Sequence, residues 1–450
     1  MKAGSVFMQA DNTYKSIWRV SYPIIIGLMA QNIMVAIDTA FLGRLGEITL
    51  GASAIGSLFY LCLVMLGTGF SVGLQIVIGR RNGEGRFQQI GMVFDHAVYF
   101  MIALAGLLFV FLSFLAPAFL EWFLQSEGVL AESLTYLSYR RFGLFFGFLV
   151  LTFNGFYIGI TRTRMLIAST SVMAAINIVV DYVLIFGHLG MPAMGIAGAA
   201  IATNIAELAT FLFFLLLSFR NNNLQFFQLL RFHRPNWLRY RPLLQVAVPV
   251  MFQYFLSFAA WFIFFMVIEQ IGETALAASN ITRSFYMLLM IPVWGLSSAT
   301  NTLVSNIIGQ GRSHEVIPLI KKVLMISLGL MLVLIQINIF IPSRVAALFT
   351  EEAHLIEAAL PLLRVIILAL IAFSTGMILF SGLSGTGKTN VALFIEIISI
   401  TIYLTSAFVL AVYFEASAPV VWFVEVIYFS MLGLGSLVYL KSGKWKVISV

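Results

Sequence analysis

The residues of this chain best suited to chemistry are a few oxygen-bearing side chains set inside otherwise apolar runs. Asp38 stands in Val35-Ala36-Ile37-Asp38-Thr39-Ala40-Phe41-Leu42-Gly43. Asn177 and Asp181 are spaced i, i+4, and so are Thr203 and Glu207, so each pair shares one face of a helix. Carboxylates, an amide and a hydroxyl suit a hard cation, and carboxylates can take protons instead. Charge within a membrane span is costly, which makes each of these acids a functional candidate. Asp38 lies about one helical turn from the end of its run, where capping a loop is the plainer role; Asn177 and Asp181 shift the balance toward a site. Glu207 could equally pair with a neighbour and be structural. Glu396 and Glu425 are single acids without polar neighbours at helical spacing. Asp95-His96 lies near the end of its run, where solvation is the simpler reading.

Other chemistries find little support. Five scattered histidines and one cysteine, Cys62, supply neither a nucleophile–base set nor a metal cage, so the chain reads as a non-enzyme without a cofactor. Gly382-Leu383-Ser384-Gly385-Thr386-Gly387-Lys388-Thr389 fits the phosphate-binding G-x-x-x-x-G-K-[ST] pattern. That pattern binds nucleotide only between a strand and a helix. Here it joins two apolar runs, so a tight turn is expected and nucleotide is not.

Composition dictates what must position these residues. Apolar types make up 61% of the 450 residues and charged types 10%, far too little charge to cover a soluble surface. Twelve apolar runs, from 17–42 to 418–440, are each long enough to cross a bilayer as a helix. The fold expected is an all-α integral membrane protein of twelve transmembrane helices. Residues 1–15 are polar and the first apolar run is too long for a signal h-region, so no cleavable signal is expected.

Counting the N-terminus, alternate loops and the C-terminus collects 20 of the 26 basic residues. The positive-inside rule then places both termini in the cytoplasm, with the bacterial inner membrane as the expected location. The net charge of +7 therefore reflects topology, not nucleic acid.

The chain also repeats. A shift of 226 residues aligns Pro23 with Pro249, Gly69 with Gly295, and Gly83 and Gly85 with Gly309 and Gly311. A shift of 223 pairs Arg141 with Arg364 and Gly159 with Gly382. The expected organisation is an N-terminal half over 1–219, a cytoplasmic linker over 220–242 rich in arginine, and a C-terminal half over 243–450. Parallel repeats of this kind are a common transporter plan. The acids are not part of the repeated scaffold: Asp38 falls on Phe264, Asn177 on Ile400 and Asp181 on Leu404.

With these features the chain resembles the multidrug and toxic compound extrusion (MATE) family along essentially its whole length. The resemblance implies a V-shaped pair of six-helix bundles exporting organic, mostly cationic or amphipathic compounds by antiport with Na⁺ or H⁺. By the same resemblance, Asp38, Asn177, Asp181 and Thr203 of Gly198-Ala199-Ala200-Ile201-Ala202-Thr203 would bind Na⁺ or a proton, with the Ala199 carbonyl as a further ligand. Tyr136, Asn154, Glu207 and Gln31 would form a supporting polar network. The NorM branch also places a glutamate on span 7 and an aspartate on span 10, where this chain has Ser257 and Ser374; that tilts the expectation to the DinF-like branch. The partners implied are drug-like small molecules and the bilayer, with the chain acting as a monomer. A lipid-linked precursor flippase of the same superfamily is the alternative function.

Overall fold

A computed structural model describes residues 10–220, 226–234 and 236–447. Residues 221–225 and 235 of the expected linker lie outside the described set, as do residues 1–9 of the polar N-terminal segment. Twelve helices are long and apolar enough to cross a membrane. We number them α1 (Tyr14–Gly43), α2 (Glu47–Gly83), α3 (Phe87–Phe114), α4 (Glu127–Gly159), α5 (Arg164–Phe186), α6 (Gly195–Arg220), α7 (Trp237–Glu269), α8 (Glu273–Gly309), α9 (Val316–Phe340), α10 (Ala353–Gly385), α11 (Thr389–Phe408) and α12 (Val424–Lys441). There is no strand among the described residues.

The same packing scheme recurs in the two halves. In the first, α2 packs on α4, α3 on α4, α4 on α6, and α5 on α6; in the second, α8 packs on α10, α9 on α10, α10 on α12, and α11 on α12. The repeat extends to single residues. Gly46 and Gly272, 226 positions apart, have φ of 118° and 135° and open α2 and α8. An L side chain rarely adopts such a φ, so glycine is needed at both turns.

By packing, the chain divides into two compact units. One is Ile26–Met251; the other joins Ala10–Ile25 to the chain from Phe252 onward. Helices α1 and α7 are thus each shared between units, and each boundary falls two residues beyond a helical proline, Pro23 or Pro249. Proline removes one backbone hydrogen bond and crowds the preceding turn, so both helices change allegiance where their ladder is weakest. This division differs at α1 and α7 from one drawn at the linker.

Helix α4 begins at Glu127, with Ser126 capping the Val129 N–H. Arg140 therefore lies well inside the helix and is buried, not in a loop. The phosphate-loop pattern is the α10–α11 turn: Gly382 to Gly385 end one helix and Thr389 opens the next.

Candidate functional site

Three helices of the first unit converge on the predicted acids. Asn177 and Asp181 on α5 are fully buried, and Asp38 on α1 is partly buried. The carboxyl groups of Asp38 and Asp181 are electrostatic neighbours. On α6, Thr203 Oγ1 accepts from Asn177 Nδ2 at 3.5 Å and donates to the Ala199 carbonyl at 2.9 Å. These five predicted residues are brought together.

Their hydrogen bonding is unbalanced in one direction. Asp38 Oδ1, both carboxylate oxygens of Asp181 and Asn177 Oδ1 are buried acceptors without a donor. A buried acceptor left unmatched costs about 1–3 kcal/mol, and more when charged. Asn177 already turns its amide N–H toward Thr203, and the Thr203 hydroxyl proton is committed to Ala199. What such a pocket lacks is positive charge: a proton shared by the two carboxyls, or a hard cation among the oxygens.

The supporting residues divide. Glu207 does not join the acids; it forms a bidentate pair with Arg140, at 2.8 and 3.0 Å. Arg140 also donates to Asn204 Oδ1 and lies 4.3 Å over the Tyr60 ring. Gly143 leaves room for this pair on α4: a Cβ there would come within 2.2 Å of Arg140 Nη1 and 2.7 Å of Glu207 Oε2. Sequence reasoning left Glu207 between a site and a structural pair, and tertiary packing supplies the pair. Tyr136 stands between the two groups, with Arg140, Asp38 and Glu207 as its electrostatic neighbours. Gln31 and Asn154 are partly buried, and no hydrogen bond among the described residues joins either to the cluster.

The second unit has a polar cluster that sequence reasoning missed. Glu396 on α11 and Glu425 on α12 are almost fully buried. Tyr428 of α12 donates to Glu396 Oε1 at 2.6 Å, and Tyr403 of α11 donates to Glu425 Oε1 at 2.7 Å. Ser257 of α7 also donates to Glu396. The expectation that the two acids lack polar neighbours at helical spacing is corrected: Ser399 and Tyr403 follow Glu396 at i+3 and i+7, and Tyr428 follows Glu425 at i+3. Each tyrosine nevertheless bonds the acid of the other helix, a pairing that spacing along one helix does not reveal. Ser374, the other serine at a NorM acid position, shares a hydrogen bond with Ser327 at 2.7 Å.

The MatE family matches residues 23–183 and again residues 249–409, two segments that begin 226 residues apart at Pro23 and Pro249. The chain belongs to the MatE family. Among curated relatives, it is 27% identical over 416 residues to the probable multidrug resistance protein NorM of Thermotoga maritima, covering 91% of this chain and 88% of that protein. The probable NorM of Pasteurella multocida is 26% identical over 397 residues, covering 85% and 83%. Among solved structures, an outward-facing multidrug resistance MATE family transporter of the MOP superfamily superposes with a TM-score of 0.89 at 21% identity, over 99% of both chains. A MOP superfamily transporter from Pyrococcus furiosus also gives 0.89, at 20% identity over 98% of both. These MatE relatives are transporters, and this chain is not an enzyme. Their NorM names run against the expected tilt to the DinF-like branch. The span-7 and span-10 serines therefore carry no branch assignment: Ser257 here accompanies an acid brought in by α11.

Proposed function

We propose that this MatE protein is a secondary active multidrug efflux transporter that exchanges organic cationic or amphipathic compounds for Na⁺ or H⁺ at the Asp38–Asp181 site. The observation that carries this reading is the set of four buried acceptor oxygens with no donor on Asp38, Asn177 and Asp181. Entry of the coupling ion would neutralise the acids and favour release of cargo. Its departure would restore them for the next cargo, and by linkage each ligand weakens the other by the same factor at equilibrium. Asp38, Asn177, Asp181 and Thr203 are the ligands in this scheme. The Ala199 carbonyl has a second lone pair beyond the Thr203 hydrogen bond, and Tyr136 connects the site to the Arg140–Glu207 pair.

The protein works as a monomer in the plasma membrane with both termini in the cytoplasm, since 20 of its 26 basic residues fall on that side. A cysteine placed at His314, which is exposed in the α8–α9 turn, should then react with impermeant reagents only from inside; labelling from outside intact cells overturns the orientation. Transport into liposomes of purified protein, with Na⁺ and pH gradients imposed separately, tests the coupling. Export driven by at least one gradient and lost in Asp181→Asn is expected; export indifferent to both gradients refutes the reading.

A further inference from the structure

The Glu396–Glu425 cluster has features that a simple structural staple does not need. The two carboxyls sit on neighbouring helices, and each is held by a tyrosine from the opposite helix. The Tyr403 and Tyr428 rings lie 5.1 Å apart between them. From α7, Ser257 donates to Glu396 and the Tyr254 phenol is a further electrostatic neighbour of that acid. From α8, the Tyr286 phenol neighbours Glu425; it is fully buried, and its hydroxyl has no hydrogen-bond partner. From α10, the ring of Phe373 packs on Phe429 of α12. The charged side chains of α10 (His354, Glu357 and Arg364) lie at its N-terminal end, and Arg364 is exposed. From α8, Arg283 lies over the Trp261 and Phe265 rings, and among the described residues no basic group acts on either acid.

A buried carboxyl without a cation is ionised only at a high cost; such a group binds a proton instead. Arg140 does for Glu207 in the first unit what nothing does for Glu396 or Glu425 in the second. The partners also select the ligand. Two tyrosine hydroxyls already direct their protons at the carboxyl oxygens, while Ser257 divides its proton between Glu396 and the Gln253 carbonyl; a metal ion would have to turn the tyrosines away, whereas a proton fits beside them. We propose that this cluster is a second proton-binding site, holding one exchangeable proton on Glu396, apart from the Asp38–Asp181 site.

The site acts through its tyrosines. A hydrogen bond to a carboxylate is roughly twice as strong as one to a neutral acid, so loss of the proton tightens the tyrosine links between α11 and α12, and its return loosens them. The free Tyr286 hydroxyl gives the cluster one more group with which to accept or donate as the proton moves. Because the proposal rests on the export reading, its test must separate the two.

Purified protein in weakly buffered detergent solution, titrated with ethidium as an organic cation beside a pH indicator dye, reports protons released per cation bound. The Asp38→Asn/Asp181→Asn variant removes the first site and should still release protons, about half the wild-type number. Adding Glu396→Gln should abolish the remainder. Tyr428→Phe in the same background keeps the acid while removing a donor, and should shift the pH midpoint of the residual release. If the double variant binds ethidium but releases nothing, the second site is refuted and the export reading stands. If the wild type itself binds ethidium without releasing protons and without competition from Na⁺, both fail. Residual release unchanged by both Glu396→Gln and Tyr428→Phe also overturns the proposal.

Discussion

The two halves of this chain share a scaffold but solve the problem of buried acid in opposite ways. In the first unit Asp38 and Asp181 meet acceptor to acceptor, with no donor for either oxygen of Asp181. In the second, Glu396 and Glu425 are met by the hydroxyls of Ser257, Tyr428 and Tyr403. A pocket of unmatched acceptors calls for an ion from outside, while a pocket of matched ones is complete except for its proton. Glu207 is a third solution, an acid neutralised by an arginine of the same unit. Burial alone therefore says little about an acid's role; the signs of its neighbours decide it.

The largest effect expected is at the unmatched pocket. Losing even an outer partner of a metal ligand costs roughly 10–100-fold in affinity, so Asp38→Asn or Asp181→Asn should lower gradient-driven export by more than about tenfold, with protein still present in the membrane. Full-rate export by both variants, measured as dye efflux from energised cells, would break the contrast between the halves.

Next is the ion pair. Arg140→Gln leaves Glu207 buried without its counter-charge, a change that typically costs about 3–5 kcal/mol. The purified variant should melt at a clearly lower temperature, and Arg140→Gln/Glu207→Gln should recover much of the loss. A melting temperature unmoved by the single change would show that the pair does not neutralise Glu207.

Thr203→Ala sharpens what the first pocket binds. It removes an oxygen ligand but no titrating group, so Na⁺-driven export should weaken several-fold while H⁺-driven export holds. Equal losses under the two gradients would argue for a purely structural hydroxyl.

Ser257→Ala should have a smaller effect, near the 1 kcal/mol typical of one lost hydrogen bond. Glu396 keeps Tyr428 as a donor, so the change should appear in thermal stability and barely in Na⁺-driven export. Smallest of all is Lys388→Gln in the α10–α11 turn, where ATP hydrolysis should stay undetectable and transport unchanged.

The particular residues show where sequence reasoning reached and where it stopped. Twelve spans follow from apolar runs, because a bilayer demands about 20 such residues per helix wherever the helix packs. The repeat was visible at pairs such as Gly85 and Gly311, which take the same left-handed backbone conformation in both halves, with φ of 71° and 77°. Asn177 with Asp181 was readable because a helix places i and i+4 on one face, whereas Ala199 entered only through the family resemblance. Arg140 with Glu207, 67 residues apart, was not, and neither were Glu396 with Tyr428 or Ser257 with Glu396.

The sequence by itself determined how many times the chain crosses the membrane, that it does so as two related halves, and which acids lie at depth. Hydropathy and helical period are local properties, summed along the chain without knowledge of neighbours. Only the tertiary structure decided which acid is paired with arginine, which is hydrogen-bonded by hydroxyls, and which meets no donor among the described residues. A buried charge is governed by groups within a few ångströms, and in a helical bundle those groups arrive from other helices, whose approach depends on glycines such as Gly155, where a Cβ would come within 2.7 Å of the Ser71 carbonyl.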